Sequence, residues 1–340
     1  MIYRSLVTAI LAALLFCAAP AWADLVVLQY HHVSNDSPAS TSTTPSLFTA
    51  QLDMIEQLGL DVVPLEQGTR EALAGELEGK QKVAITFDDA YRSVWDNALP
   101  ELNRRHFPFT VFVNTGAIGG HDFMSWKQLQ QLADSPDVQI ANHSANHQHL
   151  PRRPNESMAA WQQRIQVSLD DAQATLEARL GTHTPMLAYP YGEFGDDLEA
   201  AVAKRGWLGY GQQSGPIGPT SLATRLPRFP MANAYGQLST LKDKLLSKAL
   251  PIDAHRLPSG VLKQNPPKLS LTLPEGFDPQ RLTCFASGKG RQTVHREGDH
   301  RITVQAQTPF NSRRFRYNCT YPAGDGRYYW LSHQWVDLGH

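Results

Sequence analysis

Short apolar runs that alternate with helical stretches fill most of this 340-residue chain. The apolar runs cover residues 25–29, 60–63, 82–87, 109–113, 138–141, 186–189 and 207–210. The clearest helical stretch between them repeats apolar residues every three or four positions, at Ile165, Leu169, Ala172, Leu176 and Leu180. Strands that alternate with helices predict an α/β fold with a mostly parallel sheet, either open or closed into a barrel.

A different pattern begins after residue 250. Residues 251–267 contain four prolines and are predicted to form a linker. Beyond them, residues 269–273 and 301–305 alternate apolar and polar side chains with a period of two. This period predicts that residues 268–340 form a small, sandwich-like all-β domain.

The N-terminus has the layout of a secretory signal peptide. Arg4 precedes an apolar run at residues 6–17, and Ala23 ends a cleavage motif of small residues. We predict that residues 1–23 are removed on export and that a secreted or periplasmic chain begins at Asp24. No later segment approaches the roughly 20 apolar residues of a membrane span, so none is predicted.

Two cysteines, Cys284 and Cys319, remain in the predicted mature chain. An even pair in an exported protein predicts a disulfide, because thiols oxidise outside the cytoplasm. By chain entropy the closed loop is worth roughly 4 kcal/mol. The alternative is a pair of buried free thiols.

The formal net charge of −1 hides two regions of opposite sign. Residues 261–340 hold 11 Lys and Arg against 6 Asp and Glu, whereas residues 24–260 hold 19 against 26. The basic C-terminal region predicts a contact with the cell envelope or with an anionic glycan. No aromatic and basic recognition motif accompanies this charge, so nucleic acid is not a predicted partner.

Chemically reactive side chains follow four of the apolar runs. The four groups are Tyr30-His31-His32, Asp88-Asp89, the segment from His143 to His147, and Pro190-Tyr191-Gly192. Parallel α/β folds place their active sites at the carboxyl ends of the strands. We therefore expect these groups to meet at one edge of the sheet.

His143 and His147 are four residues apart, so one helical turn would bring both imidazoles to the same side. Two neutral imidazoles and one carboxylate, with a position left for water, are typical of a catalytic divalent metal site. Either Asp88 or Asp89 can supply the carboxylate, because neighbours that leave an extended strand point in opposite directions. Each motif alone also has an ordinary explanation. The two histidines could be solvated loop residues, and the Asp pair could belong to a turn.

Two motifs resemble a known family. TFDD at residues 86–89 and HSANH at residues 143–147 look like the first two motifs of the polysaccharide deacetylases, the NodB-type fold of carbohydrate esterase family 4. The resemblance covers residues 24–250 and implies a distorted (β/α) barrel of about seven strands. It also implies ligands for Zn²⁺, or for another divalent ion such as Co²⁺ or Ni²⁺: Asp89, His143 and His147.

The resemblance further implies which groups perform the chemistry. Asp88 would be the general base, and the backbone N–H of Tyr191, in AYPYG at residues 188–192, would stabilise the oxyanion. Many family members carry an Arg that supports the base at the position of Ala188. Arg228 is a candidate replacement, and an exposed surface Arg is the competing interpretation.

The late His motif that supplies an acid in the family is not recognisable in this chain. An acid is needed, because expulsion of an unprotonated amide nitrogen is very slow. YHH at residues 30–32 resembles the early motif that takes this role in the branch that deacetylates poly-N-acetylglucosamine. We therefore predict that His31 is the acid and that His32 is a supporting or packing residue.

Three residues are predicted to contact a polysaccharide substrate: Trp126, Tyr189 and Arg228. Trp126 could stack on a sugar ring, although an aromatic residue that opens a helix is more often part of the core. Tyr189 begins the YPYGE motif, which also resembles the poly-N-acetylglucosamine branch.

Three hypotheses for the function remain. The first is a secreted, metal-dependent enzyme that removes N-acetyl groups from an N-acetylglucosamine-containing polysaccharide and releases acetate. The second is an O-acetyl esterase on a polysaccharide, since a metal and a base serve either leaving group. The third is a non-catalytic glycan-binding protein on the same fold, which the intact Asp88 disfavours because a binder has no use for a base.

Overall fold

The computed structural model describes residues 23–79 and 81–340. The predicted signal peptide therefore lies outside the described residues, apart from Ala23. Within the described part of the chain, every helix falls short of the length and apolar character that a membrane crossing needs.

Ten strands belong to the N-terminal part of the fold. They are β1 (Leu25–Tyr30), β2 (His32–Val33), β3 (Ser42–Thr43), β4 (Asp61–Val62), β5 (Lys82–Asp88), β6 (Phe109–Val113), β7 (Val138–Asn142), β8 (Met186–Ala188), β9 (Leu208–Tyr210) and β10 (Phe229–Pro230). Strands β2 and β3 form a small separate ladder, and the other eight form one sheet.

The main sheet has the strand order β10-β1-β5-β6-β7-β8-β9, with β4 paired to the start of β5. All neighbours in this order are parallel, so their carboxyl ends lie along one edge. The sheet curls into a half-barrel, which confirms the predicted distorted barrel of about seven strands. All seven apolar runs are strands. Of the strands in this main sheet only β10 was missed, because two residues, one of them Pro230, show no periodicity; the two-residue strands β2 and β3 were not predicted either.

Within the described residues, eight α-helices connect the strands and cover the sheet. They are α1 (Pro45–Gln57), α2 (Leu65–Ala74), α3 (Leu99–Arg105), α4 (Trp126–Ala133), α5 (Met158–Ile165), α6 (Asp171–Leu180), α7 (Asp196–Lys204) and α8 (Leu238–Leu245). A short π-helical turn, Gln166–Asp170, joins α5 to α6. The apolar stripe predicted across this segment is buried, since Leu169 and Leu176 have almost no exposed surface.

The C-terminal part is all-β, as predicted. Its strands are β11 (Lys248–Ala249), β12 (Lys268–Thr272), β13 (Thr283–Ala286), β14 (Gly290–Gln292), β15 (Val294–Arg296), β16 (Arg301–Gln305), β17 (Arg314–Gly324) and β18 (Arg327–Val336). They form a five-stranded sheet, β11-β18-β17-β13-β14, and a three-stranded sheet, β12-β16-β15. Cys284 in β13 lies opposite Cys319 in β17, and their sulfur atoms are 2.01 Å apart in a disulfide.

The segment predicted as a linker, residues 251–267, is packed against its surroundings. Ile252 belongs to the apolar core of the C-terminal sheets, and the N–H of Ala254 donates to the carbonyl of Thr220 at 3.1 Å. Val261 forms a bridge with Val336 at the end of β18. These contacts hold the C-terminal sheets beside the barrel.

Candidate active site

The carboxyl ends of the parallel strands carry the side chains that the sequence singled out. His31 follows β1, Asp88 ends β5, His143 follows β7, and Tyr191 follows β8. A cleft of about 720 Å³ opens at this edge, and both His31 and Tyr191 line it. The structure therefore brings together the groups that were expected to meet there.

Asp89, His143 and His147 form a compact group of the kind that binds metals. The Nε2 atoms of His143 and His147 lie 3.5 and 3.4 Å from Oδ1 of Asp89. His143 is fully buried, Asp89 is nearly so, and His147 is half-buried. One carboxylate and two imidazoles at this spacing match the three protein ligands of a catalytic zinc site.

A loop turn, rather than the helical turn expected from the spacing, brings the two imidazoles together. The side-chain oxygen of Asn142 accepts from the N–H of Ser144 at 2.7 Å, and the Ser144 hydroxyl accepts from the N–H of His147 at 3.0 Å. Eight non-glycine residues in the described chain have left-handed φ values, and five lie here: Asp89, Ala90, Ser144, His147 and Tyr191. Such backbone costs about 1–3 kcal/mol per residue and clusters at functional sites.

The state of these side chains fits a bound divalent ion. Nδ1 of His143 donates to the carbonyl of Ala188 at 2.7 Å, and its buried Nε2 has no partner among the described residues. Burial lowers the pKa of His143 to about 3, so the ring is neutral and Nε2 offers a lone pair. Burial also raises the pKa of Asp89 to about 6, and the neighbouring charge of Asp88 adds to this effect.

Asp88 is a fully buried carboxylate held by three N–H donors. Arg228 donates to its two oxygens at 2.7 and 2.9 Å, and Nε2 of Gln29 donates to Oδ2 at 2.7 Å. Burial alone would raise the pKa of Asp88, but the charge of Arg228 holds that pKa well below its usual range. A carboxylate offers about four acceptor positions, so one on Oδ1 remains for a proton of water or substrate.

Arg228 is itself completely buried. Its Nε donates to the carbonyl of Gly211 at 2.9 Å, and its guanidinium carbon lies 5.3 Å from the ring centre of Phe112. The prediction that Arg228 contacts substrate is therefore wrong, because its side chain has no exposed surface. Its contacts are those of the other candidate role, a replacement for the Arg that is missing at Ala188 and that supports the base.

Replacing Arg228 with Met should lower the free energy of unfolding by about 3–5 kcal/mol, because Asp88 would become an unpaired buried charge. Urea unfolding at pH 7 measures this change. Arg228→Lys keeps the charge but loses the bidentate geometry, so it should lower the free energy of unfolding less than Arg228→Met does. The double variant Arg228→Met, Asp88→Asn removes both charges and should regain much of the loss. Equal stability of Arg228→Met and the wild type would contradict the ion pair.

The two adjacent histidines have different surroundings. Nε2 of His31 is 3.9 Å from Oδ2 of Asp88, and the side chain is 19% exposed to the cleft. His32 turns away and stacks on Tyr91, with ring centres 3.6 Å apart. Burial lowers the pKa of His32 to about 4, so that ring is a neutral packing group.

The C-terminal sheets hold the loop that carries Tyr191. Arg313 donates to both oxygens of the buried Glu193, at 2.9 and 3.0 Å. Arg314 donates to the carbonyl of Tyr191 at 2.6 Å. Nδ1 of His149 lies 2.8 Å from Glu193, and its ring stacks on Tyr191. None of these contacts was expected, since the sequence indicated no role for His149 or for the arginines.

Two residues predicted to contact the substrate lie away from the cleft. Tyr189 is fully buried, and its hydroxyl donates to the carbonyl of Thr224 at 2.7 Å. Trp126 packs against the apolar core of the barrel, and the guanidinium of Arg179 lies 5.6 Å from its ring centre. Neither side chain lines the cleft. The prediction for Tyr189 is therefore wrong, because its ring has no exposed surface. Trp126 is only half-buried, so its contact with a substrate stays a prediction.

Sequence reasoning also missed residues that do line or support the site. Gln29 is a polar residue inside an apolar run, and this anomaly could have indicated a buried polar contact. Arg313 and Arg314 had no such signal, because nothing local distinguishes them from surface cations. Arg313 reaches Glu193 across 120 positions of sequence.

Residues 76–208 match the family model of the polysaccharide deacetylases. The chain carries a polysaccharide deacetylase domain. The matched residues include Asp88, both histidines of the metal-binding group and Tyr191. They exclude His31 and Arg228, which belong to the same site but lie outside the matched segment.

Relatives and solved structures agree with this family. Poly-β-1,6-N-acetyl-D-glucosamine N-deacetylase of Staphylococcus epidermidis is 25% identical over 230 residues, which cover 61% of this chain and 79% of that protein. The enzyme of that name from Staphylococcus aureus is 24% identical over 207 residues, 59% of this chain and 71% of that protein. IcaB from Ammonifex degensii superposes with a TM-score of 0.56 at 26% identity, over 65% of this chain and 94% of that chain. The predicted enzyme class, a deacetylase, is confirmed.

Proposed function

We propose that this protein is an exported, metal-dependent enzyme that removes N-acetyl groups from an N-acetylglucosamine-containing polysaccharide. One observation carries the proposal: the unpartnered Nε2 of His143 faces Asp89 and His147 beside the ion-paired Asp88. The similarity to N-deacetylases of poly-β-1,6-N-acetyl-D-glucosamine supports the substrate class. The proposed ion is Zn²⁺, with Co²⁺ or Ni²⁺ as alternatives.

Hydrolysis of an acetamide needs an activated water, a base and an acid. A divalent ion held by Asp89, His143 and His147 would lower the pKa of a water molecule and polarise the acetyl carbonyl. Asp88 accepts a proton at the position left open on Oδ1. The backbone N–H of Tyr191 donates to the oxyanion, and the loop contacts with the C-terminal sheets keep that N–H in place.

His31 delivers the proton to the leaving nitrogen. It lines the cleft and lies 3.9 Å from Asp88, so the proton accepted by the base has a short route to the acid. Histidine is the side chain that most often transfers protons in enzymes, because a ring nitrogen can hold and then release a proton. An ester needs this acid less than an amide does, because an alcohol is a better leaving group than an amine.

Replacing His31 with Ala should lower acetate release from β-1,6-linked N-acetylglucosamine oligomers by about 10²–10⁴-fold. Hydrolysis of an O-acetyl ester should fall much less. Acetate release by the Zn²⁺-loaded enzyme measures both reactions, and β-1,4-linked oligomers of equal length test the linkage. His121→Ala is the matched control, since that ring is 92% exposed and outside the cleft.

Two outcomes would contradict these roles. Amide cleavage at the full rate by His31→Ala would exclude His31 as the acid. A wild-type protein that binds no metal and releases no acetate, even with added Zn²⁺ or Co²⁺, would favour the non-catalytic glycan-binding alternative.

Export is part of the same proposal. It rests on the signal-peptide layout of residues 1–23 and on the disulfide between Cys284 and Cys319, a bond typical of oxidising compartments. The basic C-terminal region is proposed to contact an anionic envelope or glycan.

A further inference from the structure

The C-terminal sheets form one wall of the active-site cleft. Arg313, Arg314 and Arg316 line the same cleft as Asp89 and His147. Part of the positive charge of the C-terminal region therefore lies in the same cleft as the candidate metal-binding residues. Asp89 is the only acid that lines the cleft within the described residues, and it belongs to the metal-binding group.

The carboxylate of Glu193 interacts with two of these three arginines. Arg313 makes two hydrogen bonds with Glu193, and Nε of Arg314 lies 3.6 Å from the same carboxylate. Arg314 also places its guanidinium carbon 5.3 Å from the ring centre of Tyr191, and that ring contacts His147. Glu193 thus offsets the charge of Arg313 and only part of the charge of Arg314.

Among the described residues, Arg316 has no carboxylate partner. Nη1 donates to the carbonyl of Gln212 at 2.7 Å, and no carboxylate of the described chain forms an ion pair with this guanidinium. Phe315 and Tyr317, its neighbours on β17, are buried in the C-terminal core, so Arg316 points to the opposite face. Burial lowers the pKa of Arg316, and the nearby Arg314 adds to this effect.

A half-buried cation without a counter-ion is unfavourable in the free protein, because lost hydration is not replaced. An anionic group of a ligand would replace the lost hydration with a favourable charge interaction. Guanidinium groups bind carboxylate and phosphate through two parallel hydrogen bonds, and four N–H groups of Arg316 remain for this purpose. A deacetylated sugar carries an ammonium group, which this wall repels.

We propose that Arg316, assisted by Arg314, forms an anion subsite for a carboxylate or phosphate group on a sugar next to the one that is deacetylated. The inference rests on the proposed function and adds a preference for N-acetylglucosamine-containing polymers that also carry an acidic group. The wall also favours release of the deacetylated unit, because two cations at close range repel each other.

Binding to the full-length mature protein tests the subsite without relying on activity. The probes are a hexasaccharide of alternating N-acetylglucosamine and glucuronate, an oligomer of N-acetylglucosamine 1-phosphate, and neutral N-acetylglucosamine hexamers. At least one acidic probe should bind about tenfold more tightly than the neutral one at low salt, and added salt should reduce that difference. Calorimetry measures all three affinities, and the probe that binds best identifies carboxylate or phosphate as the recognised group.

Arg316→Gln should abolish the preference for the acidic probe and leave the neutral probe unchanged. Arg316→Lys should retain part of the preference, because it keeps the charge without the planar fork. Arg291→Gln is the matched control, since Arg291 is an exposed arginine on β14 and lies outside the cleft. Thermal unfolding of each variant shows whether it is folded.

The inference is wrong if acidic and neutral probes bind equally, or if Arg291→Gln and Arg316→Gln have the same effect. The proposed function can fail separately: tight, Arg316-dependent binding of an acidic probe with no acetate release from any probe would contradict the deacetylase and leave the subsite intact. Acetate release from neutral and acidic probes at one rate, with equal binding, would contradict the subsite alone.

Discussion

Asp88→Asn should lower kcat for acetate release by about 10²–10⁴-fold, because an amide cannot accept the proton of the attacking water. The KM should change little, since asparagine has nearly the same shape as aspartate and this side chain is fully buried. Metal content should stay at the wild-type level, because Asp88 lies outside the group formed by Asp89, His143 and His147. Acetate release and elemental analysis of one preparation measure both quantities.

The same substitution leaves Arg228 without its counter-charge, so loss of activity must be separated from loss of fold. Arg228→Met, Asp88→Asn provides that control, since it lacks the base and also lacks the unpaired buried cation. The double variant should be more stable than Asp88→Asn and equally inactive. A folded, metal-loaded Asp88→Asn that retained more than about a tenth of the activity would contradict the role of Asp88 as the base.

His143→Gln should remove the bound ion and lower acetate release by about 10⁴-fold or more, because both the activated water and the polarised carbonyl depend on that ion. Elemental analysis should find metal in the wild type and none in the variant. Added Zn²⁺ should raise the Tm of the wild type but not that of the variant, because a ligand that binds only the folded state stabilises it.

His149→Gln is the matched control for this prediction. His149 stacks on Tyr191 at the same side of the cleft but lies outside the metal-binding group. It should therefore retain the ion. Treatment of the wild type with a chelator should abolish activity, and Zn²⁺ should restore it, whereas His143→Gln should not respond. A variant of His143 that still held one equivalent of metal would contradict the proposed ligand set.

The parallel sheet and its reactive edge were predictable because both follow from local patterns, whereas the barrel was implied only by the resemblance to the polysaccharide deacetylases. Each apolar run is long enough to be recognised as a strand, and the helical stretches between them show one apolar face. The motifs at residues 86–89 and 143–147 are contiguous and follow strands β5 and β7, which are separated by one strand in the sheet. Parallel pairing alone brings them close, but only the resemblance to the polysaccharide deacetylases indicated Asp89, rather than Asp88, as the carboxylate of the candidate metal-binding group.

The sequence did not settle the orientation of side chains that could face either the cleft or the core. Tyr189 and Trp126 stand at the end of a strand and the start of a helix, and their motifs do not show which way the rings point. The structure buries Tyr189 and packs Trp126 on the core, because the inner positions need large apolar groups to fill them. The helical turn predicted at His143 did not form, because the side-chain oxygens of Asn142 and Ser144 accept backbone hydrogen bonds that favour a loop turn instead.

The sequence by itself determined the α/β class, the edge of the sheet that is reactive and the group that could hold a metal, since periodicity and motifs act over short distances. Only the tertiary structure decided which residues support Asp88 and which residues line the cleft. Arg228 reaches Asp88 across 140 positions, and Arg316 reaches Gln212 across 104. An arginine looks the same in a sequence whether water or a carboxylate surrounds it, and only the packing of distant segments decides between them.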